Sequence, residues 1–386
     1  MLLFSVILFT DWVLFTISAL SVLYLSLFAF ASIFTQKKIH TKNVKYNRIL
    51  IIIPAYKEDR VIFDSVHSML RQNYPIQLFD ISVVSDQMNP DTIEKLRTLN
   101  IHLFEVNYSN SSKAKALNHA FNNICNEYDI ALILDADNTV NEDFLEEINN
   151  AYNCGFKAIQ AHRKAKNLNT ETAYLDAISE EINNSIFRKG HVNIGLPSAL
   201  IGSGMAIDFV WLKTNIAKLE SAGEDKELEV LLLKDGLDIA YLDGVPVYDE
   251  KTQQSKGFYN QRRRWIAAQL DILSKAIVDF PRAIVNSNFG YADKLIQWML
   301  LPRLVLIGFI FIMSLIWTVI NVLYSIKWWI LLLCLIMVLA VAIPKYLLTK
   351  KFFIALKKIP LLFVLMTANF FRLKGVNKQF IHTKKG

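Results

Sequence analysis

The apolar positions of this chain fall into two regimes. Three long runs, residues 2–34, 300–324 and 328–348, each exceed or match the roughly 20 apolar residues that a membrane helix needs. Between 49 and 299 the apolar residues come in short groups instead. Residues 49–53 read as a strand closed by Pro54, and Val61, Ile62, Val66, Met69 and Leu70 have helical spacing over 61–72. A strand over 79–84 ends at Ser85-Asp86; a helix over 92–99, a strand over 101–106, a helix over 114–126 and a strand over 130–134 follow. This alternation predicts an α/β domain with a mixed, mainly parallel sheet and helices on both faces.

Beyond 137 the rhythm loosens. Residues 144–152 read as a helix, 158–162 as a strand and 170–188 as a long, mostly polar helix. Gly195, Gly202 and Gly204 mark 194–207 as a tight loop near a ligand. A helix over 224–234 and a strand over 240–247, ending at Tyr248-Asp249, come next. The helix over 258–277 carries Trp265, Ile266, Leu270, Leu273 and Ile277 as a stripe suited to the membrane surface or the next span.

The first apolar run lacks a basic leader and a small-residue cleavage site, so it is expected to stay on the chain, with Asp11 near the far surface. The other two runs predict a membrane hairpin turning at Ser325-Ile326-Lys327, with Trp317, Trp328 and Trp329 at the interface. Lys357, Lys358 and Pro360 interrupt 352–371, which is expected to lie along or dip into the bilayer. The expected division is a first span at 1–36, a cytoplasmic domain at 37–268, an amphipathic segment at 269–299, a hairpin at 300–349, and an interfacial helix with a basic tail at 350–386.

Composition agrees with this split: of 386 residues 53% are hydrophobic and 20% charged, too apolar for one soluble domain. The net charge of +7 gathers beside the spans, at Lys37, Lys38, Lys42, Lys45 and Arg48, then Lys345, Lys350 and Lys351, then Lys374, Lys378, Lys384 and Lys385. That placement favours the cytoplasmic face of an anionic membrane and lipid contacts over nucleic acid. Cys125, Cys154 and Cys334 have no metal-binding spacing.

The stretch IALILDADNTV is the chemical centre. A buried strand ending in Asp135-Ala136-Asp137 can offer two carboxylates to Mg²⁺ or Mn²⁺, which can then hold a diphosphate; read alone, it is also an ordinary turn. Pro54, Ala55, Tyr56 and Glu58 can border a nucleotide, or simply lead into a helix. Asp86 can pair with a uracil N–H. Lys113 can approach a phosphate at a helix start, or lie on a solvated face. Glu224-Asp225 supplies a carboxylate able to take a proton from an acceptor hydroxyl, though acidic residues also suit any helix start. In Gln261-Arg262-Arg263-Arg264-Trp265, guanidinium groups can steady a departing nucleoside diphosphate and Trp265 can carry a sugar ring; a juxtamembrane basic patch reads the same way. Gly202-Ser203-Gly204-Met205-Ala206 gives backbone room for an acceptor, or a tight turn.

In this order, these motifs resemble family 2 inverting glycosyltransferases of the membrane-bound branch that includes cellulose, hyaluronan and poly-N-acetylglucosamine synthases. The resemblance covers 49 to about 268 and implies a GT-A-like domain. By it, PAYKE is the nucleotide loop, Asp86 the base contact, and Lys113 the lysine of K-x-x-x-L-N. Asp135 and Asp137 are the D-x-D, with Asp137 the direct metal ligand and Asp135 also on the donor. Asp225 is the catalytic base, and Gln261, Arg262, Arg264 and Trp265 serve the diphosphate and acceptor. It implies transfer from a nucleotide diphosphate sugar, expected to be UDP-linked, to a growing polysaccharide. Single transfer to a lipid-linked sugar or glycolipid is the alternative, and a degenerate nucleotide-sugar binding module the alternative of another class. An inner-membrane setting of bacterial type, with an export or assembly partner, completes the expectation.

Overall fold

Ile49–Tyr56 (β1) is the strand from which the sheet grows. In the computed structural model, which describes residues 2–36, 45–219, 221 and 223–370, the residues Ile49 to Ile53 are wholly buried. Leu50 and Ile52 face one side, packing with Leu117 and Phe121 of the helix Lys113–Asn123; Ile49, Ile51 and Ile53 face the other, with Ile62 and Val66 of the helix Ile62–Leu70. Burial on both faces is why this strand reads as a continuous apolar run. Each such side chain contributes roughly 1.5–3 kcal/mol.

β1 pairs in parallel with Phe79–Asp86 (β2) and Ile130–Ile133 (β4); β2 pairs in parallel with His102–Val106 (β3). Beyond β4 the sheet continues through Thr139–Val140 (β5), Ala158–Ala165 (β6), Met205–Asp208 (β7) and Ile239–Asp249 (β8), in the order β3-β2-β1-β4-β7-β6-β8-β5. β7 runs antiparallel to both neighbours, and β6 and β8 are parallel. The sheet is therefore mixed and mainly parallel.

Three local expectations change. β1 runs on through Pro54 to Tyr56, because the β4 pairing stops at Ile52 and the missing proline N–H breaks no ladder bond. The glycine-marked stretch 194–207 ends in strand β7, inserted between β4 and β6. The polar helix over 170–188 is α-helical from Glu171 to Asn183, then π-helical from Asn184 to Gly190. At Gly190 the bare backbone meets the first apolar helix: an added Cβ would stand 2.2 Å from the Phe28 carbonyl oxygen.

Three helices, Phe4–Ala31, Arg303–Ile320 and Val322–Val341, are long and apolar enough to cross a membrane. Val22, Leu25 and Phe28 of the first pack with Leu306 and Ile310 of the second and Leu331 and Leu335 of the third. The hairpin turns at Asn321, whose side chain caps the next helix by accepting from Leu323 N at 3.0 Å. Ser325, Ile326 and Lys327 thus lie inside a helix. Lys327 is tolerated there because its ammonium pairs with Asp11. Trp317 and Trp328 also point inward, both donating to Asp11, the latter at 2.9 Å; Trp329 alone of the three is exposed. Asp11 is 2% exposed, so the cost of its charge is met by these partners.

The segment 269–299 bends into the end of the helix Ser255–Ala276, a short helix Phe280–Val285 and the helix Phe289–Met299. Of the stripe on the first of these, Leu273 packs on the domain core and Ile266 is buried, while Leu270 is exposed. Beyond the hairpin lie two short helices, Lys350–Leu356 and Ile359–Phe370. Lys37, Lys38, Lys42, Phe371 and the lysines of the tail lie outside the described residues.

His162, on β6, ties the domain to the hairpin side. Its Nε2 lies 3.0 Å from Glu181 and its Nδ1 3.4 Å from Asp243, while Tyr346, beyond the hairpin, donates to Glu181 at 2.9 Å. Burial opposes the imidazolium charge, but Asp243 and Glu181 outweigh it and raise the pKa to about 9. A raised folded-state pKa gives stability that is full below the unfolded value, about 6.5, and lost as pH rises through 9. The expected loss is on the order of 3 kcal/mol. Thermal unfolding at pH 6 and pH 9.5 measures it, and His162→Gln should flatten that difference.

Candidate functional site

Because β1, β2 and β4 are parallel, their carboxyl ends share one edge, where open α/β sheets hold ligands. β1 ends at Tyr56 opposite Asp86 of β2, and Asp135 follows the end of β4 on the other side of β1. Two strand spacings separate β2 from β4, about 10 Å. The residue after each of β1 and β2, Lys57 and Gln87, has a positive φ of 56° and 54°. Backbone held there in non-glycine residues is typical of ligand-facing turns. No pattern in the sequence announced it.

Asp86 is 2% exposed; its Oδ1 accepts from Tyr108 N at 3.2 Å and its Oδ2 has no hydrogen-bond partner among the described residues. Buried carboxylate oxygens ordinarily accept a hydrogen bond, so this one suits an N–H donor. Pro54 and Ala55 lie within β1; the Glu58 carbonyl accepts from Val61 N and Ile62 N at 3.2 Å, turning the chain into the next helix.

The Gly202-Ser203-Gly204 turn enters the same edge, since β7 starts where β4 ends. Ser203 Oγ accepts from Asp135 N at 2.8 Å, and Gly204 N donates to Ile133 O at 2.9 Å. Gly204 has φ +63°, and a Cβ there would stand 2.7 Å from Val247 Cγ2. The turn that suggested acceptor space is thus the clamp on the Asp135 backbone. Lys113 heads its helix because Ser112 caps it, accepting from Lys115 N at 3.2 Å. Its ammonium reaches across to Asp135 Oδ1 at 2.6 Å, to the Gly202 carbonyl, and to within 3.8 Å of Glu224.

Glu224 and Asp225 open the helix Glu224–Lys234. A Cβ added at Gly202 would lie 3.8 Å from Asp225 Oδ2, so that carboxylate borders the same turn. Burial, aided by the Asp225 charge and opposed by Lys113, raises the Glu224 pKa to about 7. Glu224 is therefore partly protonated at neutral pH. Arg264 faces Glu224, Asp135 and Asp225 from the helix Ser255–Ala276; burial lowers its pKa despite those charges.

Asp137 is 1% exposed; its Oδ1 accepts from Asn138 Nδ2 and its Oδ2 from Glu250 N, both at 3.3 Å. Among the described residues no group of three His, Cys, Asp or Glu side chains stands ready to hold a metal alone. Asp135 and Asp137 fit a cation of the Mg²⁺ or Mn²⁺ type that takes its other oxygens from a diphosphate and water.

Three further expected site residues have partners of their own. Arg262 pairs with Asp176 at 2.5 Å and lies over the rings of Phe258 and Trp265, at 4.9 and 4.7 Å from their centroids. Trp265 thus already carries a cation on its ring. Gln261 accepts from Thr252 Oγ1 at 3.4 Å. The sequence reading missed the support beneath the edge: Asn138 Nδ2 reaches Asp249 at 3.5 Å, Lys251 pairs with Asp249 at 2.9 Å, and Arg163 and Arg188 hold Glu180 at 3.2 and 3.1 Å.

The mixed sheet with this acidic edge defines the class of fold: it is GT-A-like. The chain belongs to the family described as Glycosyltransferase like family 2, whose model matches residues 47–268. It is 24% identical over 271 residues to the probable glucomannan 4-beta-mannosyltransferase 11 of Arabidopsis thaliana, covering 64% of this chain and 59% of that protein. It thus spans about three fifths of that relative's length. The mannosyltransferase PcManGT from Pyrobaculum calidifontis, solved with GDP-Man and Mn²⁺, superposes with a TM-score of 0.57 at 14% identity, over 86% of this chain and 96% of that one.

Proposed function

We propose that this glycosyltransferase is seated in a membrane by its three apolar helices, with the catalytic domain on the cytoplasmic side. It moves a hexose from a nucleotide diphosphate donor to a growing polysaccharide, with inversion at the anomeric carbon. The observation that carries the reading is the convergence of Lys113, Asp135, Gly202 and Glu224-Asp225 on one sheet edge. Asp86 receives a base N–H on its unpartnered oxygen. A divalent cation at Asp135 and Asp137 would neutralise diphosphate charge. Asp225 takes the proton of the attacking acceptor hydroxyl, and Arg264 stabilises charge on the leaving group from the same side.

A carboxylate suits the N3–H of uracil, the base expected from the sequence, and equally the N–H edge of guanine. A second reading, GDP-mannose as donor, is favoured because the relative and the structural neighbour are both named mannosyltransferases. Incubating purified full-length chain with UDP- and GDP-sugars and Mn²⁺ or Mg²⁺, and following nucleoside diphosphate release and product size, tests both. Release from one donor class with a polymer ladder is expected. A single organic-extractable product would replace the polysaccharide acceptor with a lipid, and no release from any donor would sink the enzymatic reading of this edge.

A further inference from the structure

Glu229 is a charged side chain that the chemistry above does not use, yet three parts of the chain meet on it. It lies four residues beyond Asp225 in the helix Glu224–Lys234, so the two carboxylates share a face. Its Oε1 accepts from Leu200 N at 3.0 Å and pairs with the Lys294 ammonium at 2.9 Å. Glu229 and Lys294 are each 1% exposed, and Lys294 also donates to Gln297. Leu200 stands two residues before Gly202, whose turn clamps Asp135, takes Lys113 on its carbonyl and borders Asp225. Lys294 belongs to the helix Phe289–Met299, which leads through Pro302 into the second apolar helix. Its neighbour Asp293 accepts from Tyr24 of the first apolar helix at 2.9 Å.

The amides around Leu200 show what this contact does. Ser198 N donates to Ile239 O of β8, Ala199 N to Phe187 O, and Ile201 N to Gln160 Oε1 of β6. Those three bonds fix the stretch to the sheet and to the π-helical segment. Of these four amides, only that of Leu200 is answered from the helix that carries Asp225. Stability alone does not ask for charge here, since well-packed apolar residues commonly replace a buried ion pair without loss. An apolar side chain, however, cannot accept from Leu200 N, and a buried N–H left unanswered is costly. We propose that Glu229 is a positioning residue: it sets the Asp225 carboxylate against the Gly202 turn, and so against a donor held at Asp135. Lys294 fixes Glu229 in turn to the helix that leads into the apolar segments. The inference rests on the reading of Asp225 as the base.

Two double variants differ only in the acceptor for Leu200 N. Glu229→Gln with Lys294→Met removes both charges and keeps an oxygen there; Glu229→Met with Lys294→Met removes the oxygen as well. Each purified full-length form is given GDP-mannose or UDP-glucose. The nucleoside diphosphate released is counted per nucleotide-binding site, and the Kd of GDP or UDP is measured alongside. Turnover per site is expected within about threefold of wild type in the Gln form and about 10–100-fold lower in the Met form, with nucleotide affinity alike in both. A merely structural role would lower the number of sites and leave turnover per site unchanged. Equal turnover per site in the two forms, or nucleotide affinity that falls in step with turnover, overturns the inference. If the Met form does not fold, Glu229→Leu with Lys294→Met replaces it. Failure of both apolar forms beside a folded Gln form also overturns the inference, because the contact is then structural. Wild-type turnover in Asp225→Asn would overturn the base reading, whereas equal double variants beside an inactive Asp225→Asn remove only the role of Glu229.

Discussion

Asp225→Asn is expected to lower kcat by about 10²–10⁴-fold while nucleotide binding stays close to wild type. The amide keeps the shape of the carboxylate but cannot accept the acceptor hydroxyl's proton. The donor contacts proposed above lie elsewhere, at Asp86 and Lys113, so the loss should fall on turnover and not on donor affinity. Glu224 sharpens the test. Its raised pKa, about 7, leaves it protonated through much of the neutral range, so it is a poor substitute base below that value. In the folded chain it binds a proton that the unfolded chain releases near pH 4.3, so its contribution to stability falls as pH rises from there towards 7. Single-turnover transfer and equilibrium binding of the nucleoside diphosphate, measured on both forms, separate the two effects. Wild-type turnover in Asp225→Asn would remove Asp225 from the chemistry. A matched loss of nucleotide affinity would make it a donor ligand instead.

What the sequence made legible was whatever the central strands dictate. β1, β2 and β4 are buried on both faces, so their apolar runs stand out, and the polar residues that end them fall on the ligand edge by topology alone. The irregular half was less legible for physical reasons. β7 has four residues, follows a glycine turn and lies antiparallel, so no periodicity could separate it from a loop; β5 has two. The hairpin turn was misplaced because Lys327 looks like a break, and the acid that answers it lies 316 positions away, at Asp11. Arg262 is different. Helical phase could have warned that Arg262 and Arg264 cannot both face one cleft, and the structure puts Arg262 on Asp176. The Arg163–Glu180–Arg188 cluster had no local signal, since its members come from a strand, an α-helix and the π-helical segment that follows.

Removing one member of that cluster gives the largest expected effect on folding. In Glu180→Ala, Arg163 and Arg188 lose their shared carboxylate while 6% and 3% exposed, and Lys251 loses a partner 3.8 Å away. Breaking a buried pair from one side costs about 3–5 kcal/mol, because the remaining charge stays desolvated. Burial disfavours the Glu180 carboxylate, but Arg163, Lys251 and Arg188 overcome that and hold its pKa far below the ordinary range. With a depressed folded-state pKa, its contribution is present above about pH 4.3 and lost as pH falls below it. Glu180→Ala should therefore melt well below wild type at pH 7, and the gap should narrow in acid. The defect should also reach the catalytic edge. Arg163 Nη1 donates to the Ile201 carbonyl at 3.2 Å, one residue before the turn that clamps Asp135, and its Nε lies 3.7 Å from Asp249, beside Asn138. Glu180→Gln, which keeps one acceptor oxygen and the volume, should recover part of the stability. If Glu180→Ala unfolds at the wild-type midpoint at pH 7, these charges are solvated in the working protein and the network does not hold the edge in place.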